Sequence, residues 1–153
     1  PARHPPALDP GGVMVNPSKS KGTAAETAVT RYLLENGVQA RREVLHGNKD
    51  HGDVHIRTAA GRLIVLEVKA YKTHASLAQI AGWLDDADIE GINAEADASA
   101  LVVKRVGSAK PANWMTYMRH DEFAWLAYGL TVPPTSDWVA MTLASFAGWV
   151  RAA

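Results

Sequence analysis

The segment LIVLEVKAYK, residues 63–72, carries Glu67 and Lys69 among side chains that belong in a core, namely Leu63, Ile64, Val65, Leu66 and Val68. Side chains of a strand alternate between faces, so Glu67 and Lys69 point the same way, beside Leu63 and Val65. A buried ion is costly unless it is paired or bound to metal, and stability therefore does not account for the two charges. Two further carboxylates call for the same explanation: Asp53, at the start of the preceding strand, and Glu26, on the inner edge of the first helix. Cross-strand neighbours of an antiparallel pair lie about 5 Å apart, which puts Asp53 within reach of Glu67. Without a cation these groups repel one another. A hard divalent ion resolves the conflict, because Mg2+ takes oxygen ligands and keeps several waters for chemistry or for a substrate phosphate. Lys69 can then orient or help deprotonate a water, or stabilise charge developing on phosphorus.

Local patterns define the elements that must hold these residues. In GTAAETAVTRYLLENG, Thr23 reads as an N-cap with Glu26 three residues on, as in a capping box, and Asn36-Gly37 supplies the stop, giving a helix over 24–36. Its apolar stripe is Ala25, Val29, Tyr32 and Leu33. At about 100° per residue Glu26 falls about 20° from Leu33, so it faces the core side rather than water. VQARREVLHG reads as a first strand and NKDHG as a loop, and DVHIR alternates Val54 and Ile56 against Asp53, His55 and Arg57. The short turn TAAG joins it to the LIVLEVK strand, so residues 53–69 form an antiparallel hairpin.

Beyond the hairpin, Leu77, Ile80, Ala81, Leu84 and Ala87 have helical spacing over 74–93, with Asp85, Asp86, Asp88 and Glu90 on or near the wet side. ALVVKRV and NWMTYMR read as strands, and DEFAWLAYG as a short helix begun by Asp121. A last helix runs from Ser136 or Asp137 to about Arg151. Its apolar residues, Trp138, Val139, Met141, Leu143, Phe146, Trp149 and Val150, occupy more than one face, which suggests deep packing or a partner subunit. The expected fold class is α/β (α+β), a central mixed sheet of about five strands flanked by helices. Residues 1–17 hold five of the eight prolines and read as a flexible arm, with a core domain over 18–130 and a helical extension over 131–153.

Composition narrows the function classes. The chain has 153 residues and no cysteine, which excludes disulfide scaffolds, zinc fingers and thiol nucleophiles and fits a reducing compartment. No apolar run approaches the ~20 residues of a membrane span. The opening PARHPPALDPGG lacks the apolar core of a signal peptide, pointing to the cytoplasm. Net charge is zero, yet residues 1–73 hold 11 Lys or Arg against 7 Asp or Glu, while the remainder holds 5 against 9. That asymmetry permits a basic face near Lys19, Lys21, Arg41, Arg42, Lys49 and Lys72 that tracks phosphates; a solvated surface of mixed charge is the plainer alternative.

Glu26, Gly52-Asp53 and Leu66-Glu67-Val68-Lys69, in this order, resemble the active-site signature of the PD-(D/E)XK nuclease superfamily, with Gly52-Asp53 in place of Pro-Asp. More narrowly, KGTAAETAVTRYLLENGVQARR, GDVHI and LIVLEVKAYK are similar to archaeal-type Holliday junction resolvases and their relatives in phages. The similarity spans roughly residues 18–126 and is strongest over 21–72. It implies a restriction-endonuclease-like fold in a bacterial or phage-infected cell, a homodimer that binds branched DNA, and Mg2+-dependent cleavage leaving a 5′-phosphate, with Mn2+ able to substitute. By position, Asp53 and Glu67 would ligate metal, with the Val68 carbonyl as a further ligand. Glu26 would complete the acidic cluster and Lys69 would serve the attacking water. Gln79 resembles, loosely, a DNA-facing glutamine of many superfamily members. Two departures stand out: the chain is not strongly basic, and residues 131–153 have no obvious counterpart.

Other readings fit parts of the pattern. In HGDVH, residues 51–55, His51, Asp53 and His55 share one strand face and with His46 could form a zinc site, although His74 and His120 are isolated and no distant His-rich partner exists. His46 or His51 could instead contact phosphate, with His55 an ordinary half-buried strand residue. A nuclease-like module that only binds DNA or assembles with other proteins is a second class of function. A third keeps the chemistry but changes the target, to nicking or end processing of linear DNA. Trp114, Tyr117, Trp125, Tyr128, Trp138 and Trp149 invite a base-stacking role, but aromatics at this spacing are core residues first.

Overall fold

The computed structural model describes residues 17–44 and 47–153, with side chains from Gly22 onward. The proline-rich arm over 1–16, His46, and the side chains of Lys19 and Lys21 therefore lie outside the described residues. The elements follow as helix α1 (Pro17–Glu35), strands β1 (Gln39–Arg42), β2 (Val54–Arg57) and β3 (Leu63–Lys69), and helix α2 (Leu77–Asn93). Then come β4 (Ala98–Val103), a 3-10 turn at Pro111–Asn113, β5 (Met115–Arg119), α3 (His120–Tyr128), β6 (Trp138–Thr142) and α4 (Leu143–Ala152). Among the described residues the strands make one six-stranded mixed sheet in the order β1-β2-β3-β4-β5-β6, so the fold is of the expected α+β kind with one strand more than anticipated.

Spatial order follows chain order, with each strand antiparallel to its neighbour in all but one pair, and β5 joined to β6 through α3. The exception is β3 with β4, which run parallel because α2 provides the crossover that parallel strands require. Alternation along β3 divides the structure into two layers. Ile64, Leu66 and Val68 join the main core with Ala25, Val29 and Leu33 of α1 and Phe146 and Val150 of α4. Leu101 of β4 faces the other way, against Ile80 and Leu84 of α2. Each fully buried aliphatic side chain contributes about 1.5–3 kcal/mol, so the main core is what holds the sheet rigid beneath the site. Glu67 pairs in register with Leu101 and Lys69 with Val103, which puts both charges on the α2 side of the sheet.

Several local readings change, among them the start of α3, at His120 rather than at an Asp121 cap, and the span of β4, Ala98–Val103. Helix α1 begins before Thr23, so Thr23 lies inside it, where its carbonyl accepts from Thr27 Oγ1 at 2.8 Å, and no capping box with Glu26 forms. The stop is as expected: Gly37 takes φ 77° and the Val38 N–H returns to the Leu33 carbonyl at 3.0 Å. Helix α2 starts at Leu77 because Ser76 caps it in a capping box with Gln79, and Leu77 is 73% exposed rather than core. The single C-terminal helix expected over 136–151 is instead strand β6 followed by α4, whose N-cap Thr142 accepts from the Ser145 N–H at 3.2 Å. That change of period explains why its apolar residues had no single helical face. Residues 131–153 thus supply an edge strand and part of the main core. Among the described residues no helix is long and apolar enough to cross a membrane.

Candidate active site

The backbone before β2 is shaped by a glycine. Gly52 has φ 80°, and a Cβ there would lie 2.2 Å from Val65 Cγ1 and 3.4 Å from the Leu66 carbonyl oxygen. Glycine reaches this conformation without strain, whereas proline, fixed at a φ of about −65°, cannot adopt it. Asp50 Oδ1 accepts from the Gly52 N–H at 3.1 Å, and Asn93 Nδ2 of α2 donates to the Asp50 carbonyl at 2.9 Å. The turn is thereby tied to the end of α2. It delivers Asp53 one residue before the Val54–Leu66 pair, opposite Glu67, with the Asp53 N–H on the Leu66 carbonyl at 2.9 Å.

Asp53 Oδ2 accepts the Val68 N–H at 2.7 Å, which fixes its carboxyl beside the Glu67 strand segment. Glu67 is 6% exposed and forms an ion pair with Lys69 through Oε1, so the two charges of the LEVK motif do face the same way and meet. Burial pushes the Asp53 carboxyl up, to about 8, with the negative charge of Glu67 adding to the effect, the Val68 N–H opposing it and Glu26 adding a little more. Burial alone would lower the Lys69 ammonium, but its hydrogen bond to Glu67 and the charges of Glu67, Glu90 and Asp53 more than offset that and hold it above the ordinary lysine range. Lys69 is therefore a persistent cation, suited to stabilising negative charge rather than to taking a proton from water.

Glu90 is the residue that pattern reading missed. Expected on the wet side of α2, it is 7% exposed, and its Oε2 is buried without a hydrogen-bond partner. Burial pushes it up to about 9, reinforced by the nearby Glu67 carboxylate and by the charges of Asp50 and Asp53. On a helix Glu90 stands only about 60° from Ala87, a core position, and that was the available signal. Carboxylates on an amphipathic helix default to solvent, and here the packing of α2 on the sheet buries Glu90 despite the like charge of Glu67.

Glu26 reaches the same region from α1, 14% exposed at its side chain, but Arg42 Nε donates to its Oε2 at 2.6 Å. The structure thus brings Asp53, Glu67 and Lys69 together with Glu90 and leaves Glu26 close to Asp53 but paired to an arginine. A cleft of about 530 Å3 opens on the Glu26 side of Asp53, lined by Glu26, Arg42, Lys49, His51, Gly52 and Asp53 among others but not by Glu67, Lys69 or Glu90. Of the basic residues expected to meet DNA, Arg41 pairs with Glu43 at 2.7 Å and Arg42 with Glu26, while Lys49 and Lys72 are exposed. Gln79 Oε1 accepts the Ser76 N–H at 2.9 Å, so its amide serves the helix cap. His55 is buried rather than half-buried, with Nε2 on the His51 carbonyl at 2.7 Å.

Oxygen donors alone, two of them kept protonated by burial and, less strongly, by their neighbours' negative charge, make a set that suits a hard divalent cation, whose binding would replace the protons. The orphaned Glu90 Oε2 supports the same fit. Among the described residues no three His, Asp or Glu side chains stand in metal-holding geometry, and it is the Lys69 ammonium that neutralises Glu67. No protein-family model matches the chain, and no curated protein matches it. The chain's own geometry carries the functional reading.

Proposed function

We propose that the protein is a Mg2+-dependent endodeoxyribonuclease of the PD-(D/E)XK type that hydrolyses phosphodiester bonds, with branched DNA such as a Holliday junction as its favoured target. The observation that carries this reading is the convergence of Asp53 and Glu67 from adjacent strands, beside a lysine that remains charged. Asp53 and Glu67, with the Val68 carbonyl, would hold the ion, and Glu90 adds a carboxylate to the set. A bound Mg2+ would polarise the scissile phosphate and lower the barrier to attack by water. Within the chain, the Val68 N–H holds Asp53 in one orientation, and the buried floor of the sheet keeps Glu67 from turning to solvent. Lys69 faces the developing negative charge as a hydrogen-bond donor. Glu26 positions Arg42 at the cleft, where a phosphate would meet the guanidinium and Lys49.

The test is cleavage of a synthetic four-way junction, a flap, a linear duplex and a single strand with Mg2+, comparing wild type with Asp53→Asn. Metal-dependent cutting lost in the variant supports the site, and equal cutting by both removes it. Cutting confined to linear DNA removes only the junction preference and leaves a nickase or end-processing nuclease. The pairing of Glu67 with Lys69 and of Glu26 with Arg42, each carboxylate already neutralised within the chain, favours a second reading, a DNA-binding or assembly module without catalysis. Junction binding with no cleavage in Mg2+ or Mn2+ would select it.

A further inference from the structure

Arg41 and Arg42 each share their charge with a carboxylate, whereas a second group of cations, beside Lys69, pairs with none among the described residues. Strand β4 ends next to β3, and the Lys104 N–H donates to the Lys69 carbonyl at 2.9 Å, fixing Lys104 and Arg105 at the end of the candidate active site. Lys72, Lys104 and Arg105 are exposed and form no ion pair among the described residues. Two grooves of about 450 and 470 Å3 meet at residues 104–106, one bordered by Tyr71 and Lys72, the other by His74 and Tyr117. Two residues beyond Lys69, Tyr71 is 51% exposed and its ring lies on that of Trp83, centroids 5.0 Å apart and planes 22° from parallel. A single exposed aromatic is ordinary on a protein surface, and what sets Tyr71 apart is the unpaired cations Lys72, Lys104 and Arg105 beside it. Trp83 holds the ring in place, so a planar partner could cover it with little further loss of freedom.

We infer that this end of the sheet is a binding platform for an unpaired nucleotide of DNA, whose base stacks on Tyr71 while Lys72, Lys104 and Arg105 take the flanking phosphates. Stacking on an aromatic and attraction to phosphate need no base sequence, and together they favour strands whose bases are already unstacked. The inference rests on the nuclease reading for its choice of DNA and deepens it by naming how a branch point with unpaired nucleotides would be distinguished from continuous duplex.

The experiment measures equilibrium binding in EDTA, so that no cleavage is required, using a single strand and a flap that carry 2-aminopurine and a fully paired linear duplex. Wild type should bind the single strand and flap with quenching of 2-aminopurine. Tyr71→Leu should bind them about 5- to 100-fold more weakly and lose the quenching, while Tyr71→Phe should retain both. Lys104→Ala and Arg105→Ala, at exposed positions, should each reduce the salt slope for single strands by about 0.7. Unchanged affinity and quenching in Tyr71→Leu, or an equal loss on paired duplex, would overturn the platform. Should wild type bind in this manner yet cut nothing with Mg2+, the platform stands and the nuclease reading falls. Mg2+-dependent cutting with no effect of these variants on binding does the opposite: the nuclease stands and the platform falls.

Discussion

Replacing Asp53 by Asn separates a metal site from an ordinary polar contact. Asparagine keeps an oxygen to accept the Val68 N–H, which lies 2.7 Å from Asp53 Oδ2, and removes only the charge. In the folded protein the Asp53 carboxyl is raised from 3.8 to about 8. A carboxyl raised on folding takes stability away as pH rises: below the unfolded pKa both states are protonated, and above it only the unfolded chain ionises freely, until the folded group follows near pH 8. At pH 7 the ceiling of this penalty is about 4 kcal/mol, at 1.36 kcal/mol per pKa unit. Partial solvent access to Asp53 and the sharing of charge with Glu67 and Glu90 bring it to about 1–3 kcal/mol. Asp53→Asn should therefore melt about 3–10 °C higher than wild type in EDTA near neutral pH, with the gap closing toward about pH 4. Saturating Mg2+ should raise the melting temperature of wild type and leave that of the variant unmoved. Thermal melts across pH, with and without Mg2+, read both effects. A variant that is less stable than wild type at neutral pH, or a gap that does not change with pH, would refute the reasoning.

Further outcomes follow from the same geometry. Gly52→Ala should destabilise the fold by more than about 1 kcal/mol and abolish metal-dependent activity, because its Cβ meets Val65 and φ 80° strains any L residue; Gly52→Pro, whose ring fixes φ near about −65°, should be worse, and chemical denaturation with an activity assay checks both. Glu90→Gln should weaken Mn2+ binding several-fold by calorimetry while leaving the fold intact, since the change removes a charge at constant shape. Divalent-metal affinity should rise as pH climbs from about 6 to 9 with protons released on binding, because Asp53 and Glu90 titrate near 8 and 9; calorimetry in buffers of different ionisation enthalpy counts those protons. Arg119, 9% exposed and bonded to Asp88 Oδ2 at 3.0 Å, to Asp85 and to the Ser136 carbonyl at 2.9 Å, ties α2 to β5 and the segment before β6. Arg119→Ala should lower stability by about 1–3 kcal/mol in urea unfolding, because the Ser136 carbonyl loses its donor and Asp88 keeps only the Ser99 hydroxyl.

The hairpin and the LEVK charges were legible because strand alternation is a local rule: Val54 and Ile56 against Asp53 and His55, then Leu66 and Val68 against Glu67 and Lys69, needed only a period of two. The end of α1 was legible for a similar reason, since Gly37 takes a conformation that few other residues adopt. The start of α1 was not, because Thr23 and Glu26 match a capping box whether or not a helix already runs through them. Strand β6 was hidden by Trp138, Val139 and Met141, which suit a helix or a strand equally until the edge of β5 is known. Glu90 and the pairing of Glu26 with Arg42 depend on contacts between residues distant in sequence, α2 with β3 and α1 with β1. Neither leaves more than a faint trace in local pattern.

The central claim is that Asp53 and Glu67 share a hard cation beside Lys69. Its most direct test is a crystal soaked in Mn2+ and measured at a wavelength where manganese scatters anomalously. A peak within coordinating distance of both the Asp53 and Glu67 carboxyls, missing from Asp53→Asn crystals treated alike, is the result expected. A peak only at other residues, or none at saturating Mn2+ while Lys69 stays paired to Glu67, would contradict the account.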